Sequence, residues 1–175
     1  MIKKILLFLA AFVAIFAAFV ATRPATYEVE RSIVVKAPAD QVFSRAVDLR
    51  KWATWSPWSK LDPKMTVEYS GPEVGVGSVY HWKGNDKVGE GRMTITRVVP
   101  DELVQIKLEF LKPWEQTSLT EFAFAPAPGG TKVTWSMSGT HDFVGKLFAI
   151  FMDMDKMVGP DFEKGLATLK EQAGG

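Results

Sequence analysis

The chain has 175 residues, 47% of them apolar and 23% charged, a composition that supports a globular core and excludes a disordered chain. Its net charge is +1, and without Lys3, Lys4 and Arg23, which flank an apolar run, 18 basic residues face 20 acidic ones; with no Lys/Arg cluster, no nucleic-acid partner is expected. The absence of cysteine excludes a disulfide framework, a thiolate zinc site and a cysteine nucleophile.

After Lys3-Lys4 the chain is uncharged from Ile5 to Thr22 and closes on Arg23-Pro24. A run of about 17 residues is the short end of what crosses a bilayer as a helix. Signal-peptide cleavage needs small residues at both −3 and −1, and bulky Phe19 and Ile15 stand in the way around the available alanines. Residues 1–23 are therefore expected to be an uncleaved signal anchor. More positive charge lies before the run than just after it, which places the N-terminus in the cytoplasm and exports the rest to a periplasmic or other extracytoplasmic space.

Tyr27 to Lys36 alternates and is rich in Val and Ile, which predicts a strand. Ala37-Pro38-Ala39-Asp40 then opens a helix with Pro and an acidic residue in its first turn. Asp48 caps a second short turn carrying Trp52, and Pro57 ends the pair by disfavouring helix at Ser56. Strands follow at Thr66–Ser70, Ser78–Lys83, Gly89–Val98, Leu103–Leu111, Thr117–Phe124 and Lys132–Thr140, separated by short Gly- or Pro-bearing turns that make neighbours antiparallel.

The alternation assigns faces. Val104, Ile106, Leu108 and Phe110 oppose Gln105, Lys107 and Glu109, while Val133, Trp135 and Met137 oppose Thr134, Ser136 and Ser138. One face of the sheet is wet and one is apolar. The C-terminal region covers the apolar face: Phe143 to Met157 is apolar, Gly159-Pro160 interrupts it, and a helix restarting at Asp161 repeats Phe162, Leu166 and Leu169. One helix covers six or seven strands only if the sheet curls round it, which tends to leave a cavity. The expected fold is α+β: a curved six- to seven-stranded antiparallel sheet around a long C-terminal helix, with two short helices after the first strand, over residues 27–173.

This order resembles the START-like, or SRPBCC, helix-grip superfamily. Glu30 to Pro38 with Val42-Phe43 looks like its first-strand motif, and Trp52 with Trp55-Ser56-Pro57-Trp58 looks like its tryptophan-rich segment. Gly75-Val76-Gly77-Ser78 leading to Trp82 and Gly84 resembles its third-strand motif, and Asp161 to Leu166 with Leu169-Lys170 its last helix. The branch most resembled is the polyketide cyclase/dehydrase-like group. The resemblance implies a pocket fold shared by lipid and sterol carriers, aromatic-ring cyclases and co-chaperone-like domains, with no universal catalytic residue.

The residues themselves offer little chemistry. His141-Asp142 are adjacent in a loop without a nucleophile motif and are expected to serve a helix cap, while His81 should face outward between Tyr80 and Trp82. Two such histidines without carboxylates at ligand spacing make no zinc site, and Asp153 with Asp155 lacks the Gly and Glu of a calcium loop. Neither Gly75-Val76-Gly77 nor Gly89-Glu90-Gly91 precedes the helix and Lys of a phosphate loop. No cofactor is expected.

Arg31 shares parity with Ile33 and Val35, so it either anchors an acidic head group in the pocket or pairs with a carboxylate at the sheet edge. The aromatics and methionines are what an adaptable apolar pocket uses. The candidate ligand-binding set is Arg31, Trp55, Trp58, Tyr69 and Tyr80, then Trp82, Met93, Ile106, Leu108 and Phe110, and finally Phe122, Trp135, Met137, Phe151 and Met154, with no catalytic or metal residue. The function expected is a membrane-anchored binding domain for a hydrophobic small molecule or lipid. The alternatives are a cyclase/dehydrase-type enzyme orienting a flexible substrate in the same cavity, or a protein-interaction module.

Overall fold

A computed structural model describes residues 1–174. Helix α1 (Ile2–Ala21) precedes β1 (Thr26–Val35), and two short helices, α2 (Ala39–Ala46) and α3 (Trp52–Trp55), follow it. Ser56 takes the extended conformation that Pro57 imposes, and a 3-10 turn covers Pro57–Lys60. Strands β2 (Thr66–Ser70), β3 (Val79–Lys83), β4 (Glu90–Val99), β5 (Leu103–Lys112), β6 (Gln116–Ala127) and β7 (Gly130–Thr140) complete the sheet, and α4 (Phe143–Ala149) and α5 (Met154–Gln172) close the chain.

All neighbours are antiparallel in the order β1-β7-β6-β5-β4-β3-β2. The first strand thus pairs with the last, and both edges are formed early in the chain. Register shifts in β4, between Glu90 and Gly91 and between Ile95 and Arg97, bend the sheet. The hairpin between β6 and β7 is tighter than its Pro- and Gly-rich sequence predicts. Pairing continues through Pro126↔Thr131 to Ala127↔Gly130, and Gly129 takes a positive φ of 82° in the two-residue turn.

The C-terminal helix differs from expectation. The break falls at residues 150–153, and α5 runs unbroken through Gly159-Pro160. Asp153 starts it, accepting hydrogen bonds from the backbone N–H groups of Asp155 and Lys156. Pro160 removes one helical hydrogen bond, to the Lys156 carbonyl, but both residues lie on the exposed face, where water can satisfy that oxygen. Gly159 is buried against β1, and a Cβ there would collide with the Arg31 guanidinium.

The core lies between the concave face and the helices. It joins Val29, Val35, Val104, Ile106, Phe122, Val133 and Trp135 of the sheet to Val42, Ala46, Trp52 and Trp55 of α2 and α3 and to Phe162, Leu166 and Leu169 of α5. This is the helix-grip architecture. Helix α1 stands almost wholly outside it, exposed except for half-buried Ala17 and buried Val20, with a mean hydropathy of 2.6. Its end meets α4, where Lys146 Nζ donates to the Ala21 carbonyl at 3.2 Å.

Candidate ligand cavity

A cavity of about 250 Å³ opens under the β3–β4–β5 part of the sheet. Period-2 alternation sends Tyr80 and Trp82 of β3, Met93 of β4, and Leu108 and Phe110 of β5 inward. Thr120 of β6 and Trp135 and Met137 of β7 form its inner wall. Met154, Val158 and Phe162 of α5, with Trp52, Ser56, Trp58 and Ser59, lie across from the sheet, and Met65, Val88 and Lys87 complete the lining. Lys87 is exposed, so the cavity meets solvent beside the β3–β4 loop.

The walls are held by ring contacts. Trp135 stacks on Phe162 with centroids 4.1 Å apart and meets Trp58 edge-on at 5.7 Å. Its benzo edge lies close to Gly165, where an added Cβ would come within 2.8 Å of Cζ3. Trp82 meets Phe110 edge-on at 6.1 Å, is pinned by donation from Nε1 to the Val88 carbonyl at 3.0 Å, and lies over Gly91, which has no Cβ to displace it. Among the four buried indoles, Trp52 and Trp55 also donate to backbone carbonyls, of Ala46 and Arg45, whereas Trp135 Nε1 has no protein acceptor. Thr120 Oγ1 is likewise buried and unpartnered.

The ionisable lining side chains are Tyr80 and Lys87. Burial pushes the Tyr80 phenol up to about 12, so it stays neutral at any physiological pH. Among the described residues no group of three or more His, Cys, Asp or Glu side chains gathers to hold a metal ion.

Comparison with known proteins adds the family. The family model for polyketide cyclase/dehydrase and lipid transport proteins matches residues 26–174. The chain belongs to this family. No curated protein matches the sequence. Among solved structures, protein CV1439 from Chromobacterium violaceum is similar at 16% identity and a TM-score of 0.59, covering 85% of this chain and 96% of that one. The Aha1 dimer from Colwellia psychrerythraea is similar at 17% identity and a TM-score of 0.61, covering 84% and 96%. The di-domain ARO/CYC protein StfQ of the steffimycin biosynthetic pathway is similar at 13% identity and a TM-score of 0.63, covering 85% of this chain and 51% of that protein. At these identities the likeness is one of fold.

Of the residues singled out from the sequence, this polyketide cyclase/dehydrase and lipid transport domain brings nine to the cavity: Trp58, Tyr80, Trp82, Met93, Leu108, Phe110, Trp135, Met137 and Met154. Trp55, Ile106 and Phe122 are buried in the solid core beside it. Tyr69 lies outside the lining, edge-on to Tyr80 with the Arg50 guanidinium over its ring. Phe151 is 76% exposed in the link between α4 and α5, because the helix that was to carry it inward begins only at Met154.

Arg31 points inward as its parity predicts, but α5 covers it there, so no pocket lies in front of it. Its guanidinium grips Asp155 through Nη1 at 2.7 Å and Nη2 at 3.0 Å, and donates from Nε to Glu163 at 2.7 Å. Pairing with Arg31 lowers the Asp155 pKa. The residue clamps α5 to the edge strand and is not placed to anchor a ligand.

Sequence reasoning passed over Thr120, Ser56, Ser59, Met65, Lys87, Val88 and Val158. Thr120 was within reach, since it shares parity with Phe122. Lys87, Val88 and Met65 carry no such signal, because they come from loops. His81 lies outside the cavity between Glu90 at 3.5 Å and Glu68 at 3.8 Å. Asp142 caps α4 through the Gly145 N–H, and His141 packs on Tyr27.

Proposed function

We propose that this protein is a membrane-tethered domain that binds a hydrophobic small molecule or lipid in the cavity under β3–β5. The cavity carries the reading. It is enclosed mainly by aromatic, Met and Leu side chains, and its ionisable groups are a neutral phenol and a lysine at the mouth. Transfer of apolar surface into it contributes about 25 cal/mol per Å² of ligand area removed from water. The family's description, which names both cyclase/dehydrase and lipid transport proteins, supports a ligand of this character.

The tether reading rests on α1, whose 20 residues rise about 30 Å, the thickness of a bilayer's hydrocarbon core. The connections place the mouth on the same side. Antiparallel pairing brings the start of β1, the end of β7, the β5–β6 turn and the β3–β4 loop to one end of the sheet. That end also carries exposed Phe143, Val144, Phe148 and Trp114, with Trp114 and Phe148 in ring contact at 6.0 Å. A bilayer crossed by α1 would meet this apolar rim first, and Lys87 beside it. A cleaved signal peptide can share this length and hydropathy, so fractionation decides: the anchor reading expects the protein in the membrane fraction with Met1 retained in its intact mass, and a mature form beginning near Ala25 would overturn it.

The binding experiment is extraction of the purified protein with organic solvent and mass spectrometry of the extract. Wild type should release a hydrophobic compound in near-equimolar amount, and Leu108→Trp, which fills the cavity, should release little while still unfolding in one cooperative transition. Equal release by both would remove the cavity from the account. A cyclase or dehydrase working in the same cavity would act chiefly by orienting its substrate. It would have to draw its acid from Tyr80 or Lys87, so full turnover by Tyr80→Phe and Lys87→Met variants would argue against proton transfer by either.

A further inference from the structure

We infer that the cavity selects an uncharged molecule bearing a carbonyl oxygen, which is seated at its inner wall between Trp135 Nε1 and Thr120 Oγ1. The inference rests on the binding reading above and adds the chemistry of the bound group.

Both polar atoms are fully buried and lack a protein partner, in side chains only 2% and 3% exposed. Buried polar groups in native proteins are nearly always paired, and the same fold shows it nearby. The other three buried indoles all donate to backbone carbonyls, and Ser118, the inward neighbour of Thr120 on β6, shares a 2.7 Å hydrogen bond with Tyr27. Of the three exceptions among the described residues, Glu90 Oε2 lies outside the lining, 2.9 Å from Lys112 Nζ, and the other two sit together. Thr120 faces Met137 across the β6–β7 ladder and Phe122 faces Trp135, so Thr120 and Trp135 are diagonal neighbours on one face. Both line the cavity.

Their chemistry defines the group that fits. An indole N–H only donates, and a threonine hydroxyl can donate, so together they match an acceptor with two lone pairs. A ketone or ester carbonyl has both. A carboxylate would need a cation beside it, and the one lining cation, Lys87, stands at the mouth. The rest of the lining is apolar apart from Ser56, Ser59 and the Tyr80 phenol.

Two photoprobes applied to the full-length protein in detergent micelles test this: benzophenone, a ketone, and an aliphatic diazirine with no oxygen. Peptide mass spectrometry reads labelling at Met93 and Met137, so probe dissolved in the micelle does not contribute. Thr120→Val removes the hydroxyl at constant shape, and Thr120→Ser keeps it. The expected result is that Thr120→Val raises the half-saturating concentration of benzophenone about threefold to tenfold, the effect of one hydrogen bond, while leaving the diazirine unchanged. Thr120→Ser should behave as wild type towards both. Equal saturation of Thr120→Val and wild type by benzophenone, or a parallel shift for both probes, overturns the carbonyl inference alone. Failure of benzophenone alone to label the lining of wild type likewise overturns the carbonyl inference, and failure of both probes overturns the binding reading with it.

Discussion

The two ends of the sheet are built from the same alternating pattern and come out differently. At the β1–β7–β6 end, α5 lies on β1, α2 and α3 cover β6 and β7, and Val29, Val35, Phe122 and Val133 are fully buried in a solid core. At the β4–β3–β2 end no helix packs closely on the sheet among the described residues, β2 is largely exposed, and the inward rings of Tyr80, Trp82 and Phe110 look into a cavity. Alternation tells a side chain which way to point. Whether it finds a partner there depends on how far the covering helix extends.

The contrast is breakable by truncation. Phe122→Ala, at the solid end, should cost about 3 to 5 kcal/mol in denaturant melts, since its neighbours are fixed on every side. Leu108→Ala, at the open end, should cost about 1 to 2 kcal/mol, because the deleted atoms already border empty space. Equal losses would mean that the cavity is filled by side-chain rearrangement in solution and the two ends are alike.

The clamp between Arg31 and α5 gives a smaller, pH-dependent effect. Asp155 has its pKa lowered by Arg31, so the folded state is favoured when the carboxylate is ionised. That contribution is present above the unfolded pKa near 3.8 and is lost as pH falls through the lower folded value. Arg31→Met should therefore melt below wild type at neutral pH, with the gap closing in acid as Asp155 protonates. A gap independent of pH would assign the loss to packing on Gly159. The smallest effect belongs to the wet face: His81→Ala should leave both the melting temperature and the labelling of Met137 unchanged within error, and a clear loss of labelling would show that the outer face communicates with the cavity.

Most of the fold was legible in the sequence. Val/Ile-rich alternation and the Gly and Pro punctuation located seven strands within a few residues, and Pro38, Asp40 and Pro57 marked the helix pair. The C-terminal helix was misread because Gly159-Pro160 is a strong local break signal. The structure accommodates it by turning Pro160 to solvent and packing Gly159 under Arg31, and neither fact is local. The site was legible in direction only. Phe122 and Leu108 have the same parity and the same apolar character, yet one is core and the other lining, a difference set by where Trp52 and Trp55 of α3 lie. Arg31 shows the same limit for charge, since its carboxylate partners stand more than a hundred residues away in the chain.

Gly91 carries the last lesson. It sits behind Trp82, in a position where any Cβ would press into the indole. Lengthening this residue by a single methyl would force the ring out of its present place, though no lining residue had changed in sequence. The same Cβ would come within 2.6 Å of the Glu109 backbone carbonyl, which no side-chain rotation relieves, so the place of the Trp82 ring in the cavity wall depends on a residue outside the lining staying glycine.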